Sequence, residues 1–321
     1  MTIHCNVYSG SITYLHLLFI KDKIKNYVMK LENIWSNDFA SGGKLDTLKR
    51  DQVKQVDLYN SNYCKMLQIF VHFYLGLPLV IMLSKKFLLK RDVSYVTPLK
   101  FTLPFDYQNN IAVFVTVYLL DYWIIYKMSY LINGSMFFLS LTMNQLRTLF
   151  MLLQEDFKDT IKGKGSDKDA KLKKTIRKHN LLSEMLVQLG DAYGAIFIIQ
   201  GVFVTVTVCF YGIAARINCR LEDMKNFMIS VISIINIFYC CREGQLVTDS
   251  ATDVALAISD SPWEDLSCKH RKMILLSIIR SQRATYISST SFTKISLTTF
   301  KTIMNMVWTI ISLITKIYTK N

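Results

Sequence analysis

The sequence predicts an all-α polytopic membrane protein, and three observations carry that prediction. The 321 residues are 51% hydrophobic with a mean hydropathy of +0.25, a combination uncommon in soluble domains. Four prolines and twelve glycines leave long helices unopposed. Several uncharged runs reach the length needed to cross a bilayer. The formal net charge of +14 lies mostly between those runs, as expected for basic loops facing anionic lipid. The sequence has no zinc-finger spacing, RNP-like motif or basic helix with interleaved aromatics, so nucleic acid is not the expected partner.

The elements follow in order. Residues 8–20 form an apolar stub. Its core, "SITYLHLLFI", lacks the basic leader and small-residue cleavage site of a signal peptide. Residues 66–83 carry no formal charge over 18 positions, and Pro78 predicts a kink. Residues 111–153 are apolar except for a few charges, Asp121, Lys127 and Arg147 among them. They read either as one helix of about 60 Å or as two spans turning at Asn133-Gly134. Residues 192–216 form a plain span. Residues 225–241 form a short one, bounded by Lys225 and Arg242, whose ends must snorkel. Residues 296–317 form the last span. The segment 242–294 between these two reads as a cytoplasmic anchor region.

The distribution of basic residues decides between one helix and two at 111–153. With one helix, segments 21–65, 156–181 and 242–294 share a side and hold 25 Lys and Arg, against 10 on the other side. This asymmetry favours one helix, places the basic loops in the cytoplasm and leaves the C-terminus outside. The expectation is five spans plus the stub.

The last span carries Thr298, Thr302, Asn305, Thr309, Ser312 and Lys316 at alternating spacings of four and three. At 100° per residue they fall within about 80° of one another. Lipid does not favour such a face, so it meets protein or water. Periodicity leaves two readings open: hydroxyl bonds between packed helices, or the wall of an ion pathway. Two aromatic faces also recur at helical spacing. Phe70, Phe73, Tyr74 and Leu77 form one, and Tyr118, Tyr122, Ile125 and Tyr126 the other. Ordinary packing explains such faces as readily as a ligand wall does. Asp121 and Lys127 stay open between a functional intramembrane charge and a boundary position.

No chemistry-bearing constellation stands out. His16 and His72 have no nearby second ligand for a metal. The seven cysteines show no disulfide framework. Asn133-Gly134-Ser135 matches a glycosylation sequon inside an apolar run, where modification is not expected. There is no nucleophilic triad, phosphate loop or paired carboxylate. The expectation is a non-enzyme without metal or cofactor.

The chain resembles the insect odorant receptors. The resemblance lies in "FYCCREGQLVTDSATDVALAISDSPWEDL", with Tyr239-Cys240, Gly244, Ser250 and Trp263 in the family's order. It continues in "RKMILLSIIRSQRATYISSTSFTKISLTTF", in "LPFDYQN" (Leu103–Asn109), and in "TIRKHNLL" with its His179. It implies a seven-pass bundle of inverted topology. By that comparison the family's first helix and most of its second have no counterpart here, so the chain is expected to be N-terminally incomplete. Glu264 and Val307-Trp308-Thr309 also depart from the family pattern.

The resemblance further implies a small apolar odorant pocket, for which Phe73, Leu77, Tyr118, Tyr122 and Tyr126 are the expected residues. It implies a pore along the last span, with Asn305, Thr309 and Ser312 on its wall. Leu313 stands at the hydrophobic gate, and Thr315 and Lys316 at the outer mouth. The implied function is the ligand-binding subunit of an odorant-gated cation channel, in a heterotetramer with a shared co-receptor. The implied place is the plasma membrane of olfactory neuron dendrites. The alternatives are a non-functional truncated receptor, a gustatory receptor and a G-protein-coupled receptor. The gustatory Thr-Tyr and Gln-Phe signature and the Asp-Arg-Tyr motif are both missing from the sequence.

Overall fold

The computed structural model describes residues 2–35, 44–87, 97, 110–163, 167–217, 221–283, 286–289 and 293–318. Leu103–Asn109 lies outside them. Among the described residues the chain is almost entirely helical. Its long helices are α1 (Thr2–Asn33), α2 (Lys44–Phe87), α3 (Ile111–Lys162), α4 (Lys168–Ile217) and α5 (Leu221–Ser259). A 3₁₀ turn at Trp263–Asp265 leads to α6 (Cys268–Gln282). A minimal hairpin of β1 (Ser288–Ser289) and β2 (Thr293–Lys294) then precedes α7 (Leu297–Tyr318).

These helices outrun the apolar segments read from sequence. The stub at 8–20 sits inside a helix of 32 residues. α3 has 52 residues, about 78 Å, and runs unbroken through Asn133-Gly134 to a glycine end at Gly163. α5 continues well past residue 241 into the segment read as the anchor. Hydropathy marks only the portion that lipid can cover. The charged remainder of α3, α4 and α5 stays helical because it packs against its neighbours.

Among the described residues four helices are long and apolar enough to cross a membrane: Arg50–Ser84, Ile111–Lys162, Lys168–Ile213 and Leu297–Ile317. The main hydrophobic core lies largely at the opposite end from the N-terminus of α3. Leu139, Met143, Leu146, Leu149, Leu153 and Phe157 of α3 are fully buried there. They meet Leu182, Met185, Leu186 and Leu189 of α4 and Val247, Val254 and Ile258 of α5. These positions recur at spacings of three and four, as helix packing requires.

Two glycines let the hairpin enter this core. A Cβ on Gly190 of α4 would stand 2.6 Å from the Ser288 carbonyl oxygen. A Cβ on Gly244 of α5 would stand 2.5 Å from that of Ile295. The hairpin therefore lies directly on both helix backbones. It is pinned there by the fully buried Ile287 and Ile295, joined by a backbone bond of 2.9 Å.

Candidate functional site

Helices α2 to α5 enclose a cavity of about 150 Å³. Helical spacing brings its lining together. Ile125, Met128, Ser129, Ile132 and Asn133 share one face of α3. Gln200, Phe203, Val204 and Thr207 do the same on α4, and Ile229, Ile232, Ser233 and Asn236 on α5. Phe70, Val71 and Tyr74 complete the wall from α2. The lining is mainly apolar with a few convergent polar groups, the usual character of a small-molecule site. Gln200 is itself buried and donates to Thr13 of α1 at 3.0 Å, which ties α1 to the bundle beside the cavity.

A chain of hydrogen bonds ends in this wall. The Tyr63 hydroxyl donates to Asn236 Oδ1 at 2.8 Å. Asn236 Nδ2 donates to Asn133 Oδ1 at 2.8 Å, and Asn133 Nδ2 donates to Ser129 Oγ at 2.9 Å. Tyr63 stacks on Tyr239 with ring centroids 4.3 Å apart, and Tyr239 in turn donates to Asn60 at 2.6 Å. Asn236 and Asn133 are thus each held in one orientation by a donor and an acceptor.

A second cavity of about 240 Å³ lies between α2 and α3. Cys64, Leu67 and Gln68 face Tyr126, Tyr130 and Phe137 across it. It shares Val71, Ser129 and Asn133 with the first cavity.

Of the five residues expected in a pocket, Tyr126 lines the second cavity and the other four line neither. Phe73 is 48% exposed and Leu77 half-buried. Tyr118 is buried and donates to the backbone carbonyl of Leu75. Tyr122 bonds His72 at 2.7 Å, and His72 also stacks on Tyr126. Tyr118, Tyr122 and Tyr126 thus join Leu75 and His72 in a zipper between α3 and α2. Asp121 is buried and Lys127 exposed. The residues missed from sequence are the polar ones. Ser129, Asn133, Gln200, Ser233 and Asn236 interrupt apolar runs at helical spacing, and that signal was present in the sequence.

α7 separates its two faces sharply. Phe300, Ile303, Val307, Ile310 and Ile311 pack into the core, with Ile311 Cδ1 within 3.0 Å of the Cβ position of Gly212. The polar stripe points the other way. Thr298, Thr302, Asn305, Thr309 and Lys316 are exposed, as is Leu313, while Ser312 and Thr315 are half-buried. Thr302, Thr309 and Thr315 donate to their own helix, to the carbonyls of Thr298, Asn305 and Ile311. Packing among the described residues therefore does not account for the exposure of Thr298, Thr302, Asn305 and Thr309.

At the base of the bundle His179 is buried, its Nε2 3.1 Å from Ser281 Oγ and its ring edge-on to Phe157. It precedes the uncharged run that begins at Ala192. Burial, aided by the nearby Arg280 guanidinium, pushes it down to about 4. On the surface close by, Asp169 meets Lys173, His270 and Lys269 at 2.8, 3.1 and 3.3 Å. Their hydrogen bonds hold its carboxyl well below the usual range.

The seven-transmembrane odorant receptor family ("7tm Odorant receptor") matches residues 1–308. The chain belongs to that family. Odorant receptor 85c of Drosophila melanogaster is 20% identical over 303 residues, which cover 94% of this chain and 77% of that protein. Odorant receptor 13a of the same species is 21% identical over 353 residues, covering 98% of this chain and 79% of its own. The olfactory receptor OR5 of Machilis hrabei, solved in complex with eugenol, matches with a TM-score of 0.77 at 14% identity. That match covers 98% of this chain and 80% of OR5. The odorant receptor is thus a multi-pass membrane protein with the helical fold of the solved insect receptors. Membership of this family sets aside the gustatory and G-protein-coupled alternatives.

Proposed function

We propose that the chain is the ligand-binding subunit of an odorant-gated, non-selective cation channel, formed with a shared co-receptor as a heterotetramer. Its proposed place is the plasma membrane of olfactory sensory neuron dendrites, with the C-terminus outside the cell. The observation that carries the reading is the division of α7: an apolar face seated on α4 and α5, and a polar face on which Thr298, Thr302, Asn305 and Thr309 stand exposed. In a bilayer such a face calls for other subunits and water.

A small apolar odorant enters the cavities beside α3, and α2 to α5 repack around it. Of the residues expected at the pocket, Tyr126 lines the second cavity, and Tyr118 and Tyr122 fix the spacing of α2 and α3 beside it. The hairpin seated on Gly190 and Gly244 carries the shift from α4 and α5 to the base of α7. The segment 242–294, with α6, anchors the assembly in the cytoplasm. Leu313 is the gate. Asn305, Thr309 and Ser312 line the path to it, and Thr315 and Lys316 stand at the outer mouth.

Co-expression with a co-receptor and current recording over an odorant panel tests the function. Odorant-evoked cation current is the expected result; silence across the panel favours the reading of a non-functional receptor. Cysteines placed at Thr309 and Ser312 should make that current sensitive to water-borne methanethiosulfonates, whereas insensitivity would place the stripe against lipid or protein. Lys316→Glu should raise the permeability of cations over anions, read as a shift in reversal potential.

A further inference from the structure

The two cavities meet at Ser129, and the hydrogen bonds that end there run in one direction. Tyr63 donates to Asn236, Asn236 to Asn133, and Asn133 to Ser129 Oγ. Each link accepts and then donates, so the chain polarises its last member. Ser129 Oγ is the acceptor at that end, and among the described residues its own hydroxyl hydrogen is given no acceptor. It lines the first cavity and the second alike, and apolar side chains extend the walls on either side.

Gly134 lies one turn further along α3 in the wall of the second cavity. A Cβ there would meet nothing within 4 Å. A glycine in the middle of a 52-residue helix costs about 0.5–1 kcal/mol relative to alanine, and packing among the described residues does not require it. Gly190 and Gly244 are different, because backbone occupies the space where their Cβ atoms would be. The room beside Gly134 is left open.

We propose that the two cavities form one bipartite ligand site. It takes a molecule with a central hydrogen-bond acceptor, such as a ketone or ester carbonyl, flanked by two apolar arms. Ser129 donates to the carbonyl oxygen. One arm lies among Met128, Val204 and Ile232, and the other among Leu67, Tyr126 and Phe137. A hydrocarbon leaves the polarised hydroxyl unpaired, and a ligand with its polar group at one end cannot fill both chambers around Ser129. This proposal rests on reading these cavities as the odorant site.

The test uses the full chain in lipid nanodiscs and tritiated 5-nonanone as the probe, with 1-nonanol and nonane as competitors. Saturable binding is expected, with both competitors weaker than unlabelled 5-nonanone. Ser129→Ala should weaken the ketone about five- to tenfold and leave nonane unchanged. Gly134→Leu adds a side chain to the wall of the second chamber, starting from a Cβ position with nothing within 4 Å. It should weaken 5-nonanone about tenfold or more while sparing 2-hexanone, which needs only one chamber. Absence of saturable binding, an unaltered Ser129→Ala or an unaltered Gly134→Leu overturns the proposal. A saturable ketone site without odorant-evoked current would remove the channel reading and leave this one standing. Current evoked by odorants of other chemistry, with no ketone site, would do the reverse.

Discussion

α3 is one helix in two solvents. Near its start Leu119 and Trp123 are 62% and 60% exposed, and Tyr130 is also open. From Leu139 to Phe157 the apolar residues that face the core are buried almost completely. Charge does not separate the two parts: up to Leu153 both belong to the apolar run 111–153, with Asp121 and Lys127 in the first and Arg147 in the second. The difference lies in what covers them. From Leu139 onward α4 and α5 close over the core-facing side of α3, whereas the first part leaves large apolar side chains open for lipid to cover. Both cavities lie along the more open half.

This contrast can be broken by paired substitutions, measured as unfolding of the purified chain. The largest effect is expected from Leu149→Ala, which removes a fully buried side chain from the basal core and should cost about 2–5 kcal/mol. Trp123→Ala, a larger truncation on the lipid side of the same helix, should cost far less. Equal losses would show that the two halves are packed alike.

Next comes pH. His179 sits near 4 in the folded chain against 6.5 when unfolded. Between those values the unfolded state takes up a proton that the folded state refuses. Stability is complete above about pH 6.5 and falls as pH drops toward 4, by about 3 kcal/mol at most. His179→Gln should flatten that part of the profile; an unchanged slope would mean that His179 is not the group responsible.

Glycines sharpen the comparison further. Gly244→Ala forces a methyl group against the Ile295 backbone and should cost about 1–3 kcal/mol. Gly134→Ala, in open space, should instead stabilise by about 0.5–1 kcal/mol. Destabilisation at Gly134 would reveal packing there against something outside this chain.

What was legible in the sequence follows the same divide. Uncharged runs mark helices, and a polar stripe at spacings of three and four announces the two faces of α7, because both signals are local. The basal extensions of α4 and α5 were not legible. Their apolar residues are interleaved with charges, and only tertiary contact shows which face is covered. The cavity was missed for a related reason. Tyr118 and Tyr122 have the right spacing for a wall, but the relative rotation of α2 and α3 turns them onto Leu75 and His72 of α2. Asn133 and Asn236 lie 103 residues apart and meet only in the fold.

The hydroxyls of α7 bear on how such a subunit is made. Thr302, Thr309 and Thr315 already bond the carbonyls of their own helix. A newly inserted chain can therefore show this face to lipid before partners arrive, without leaving those oxygens unpaired. After assembly the same groups have lone pairs to offer to water. These threonines let their part of the helix wait in the bilayer and then serve a wet interface, a tolerance that carboxylates at the same positions would not give.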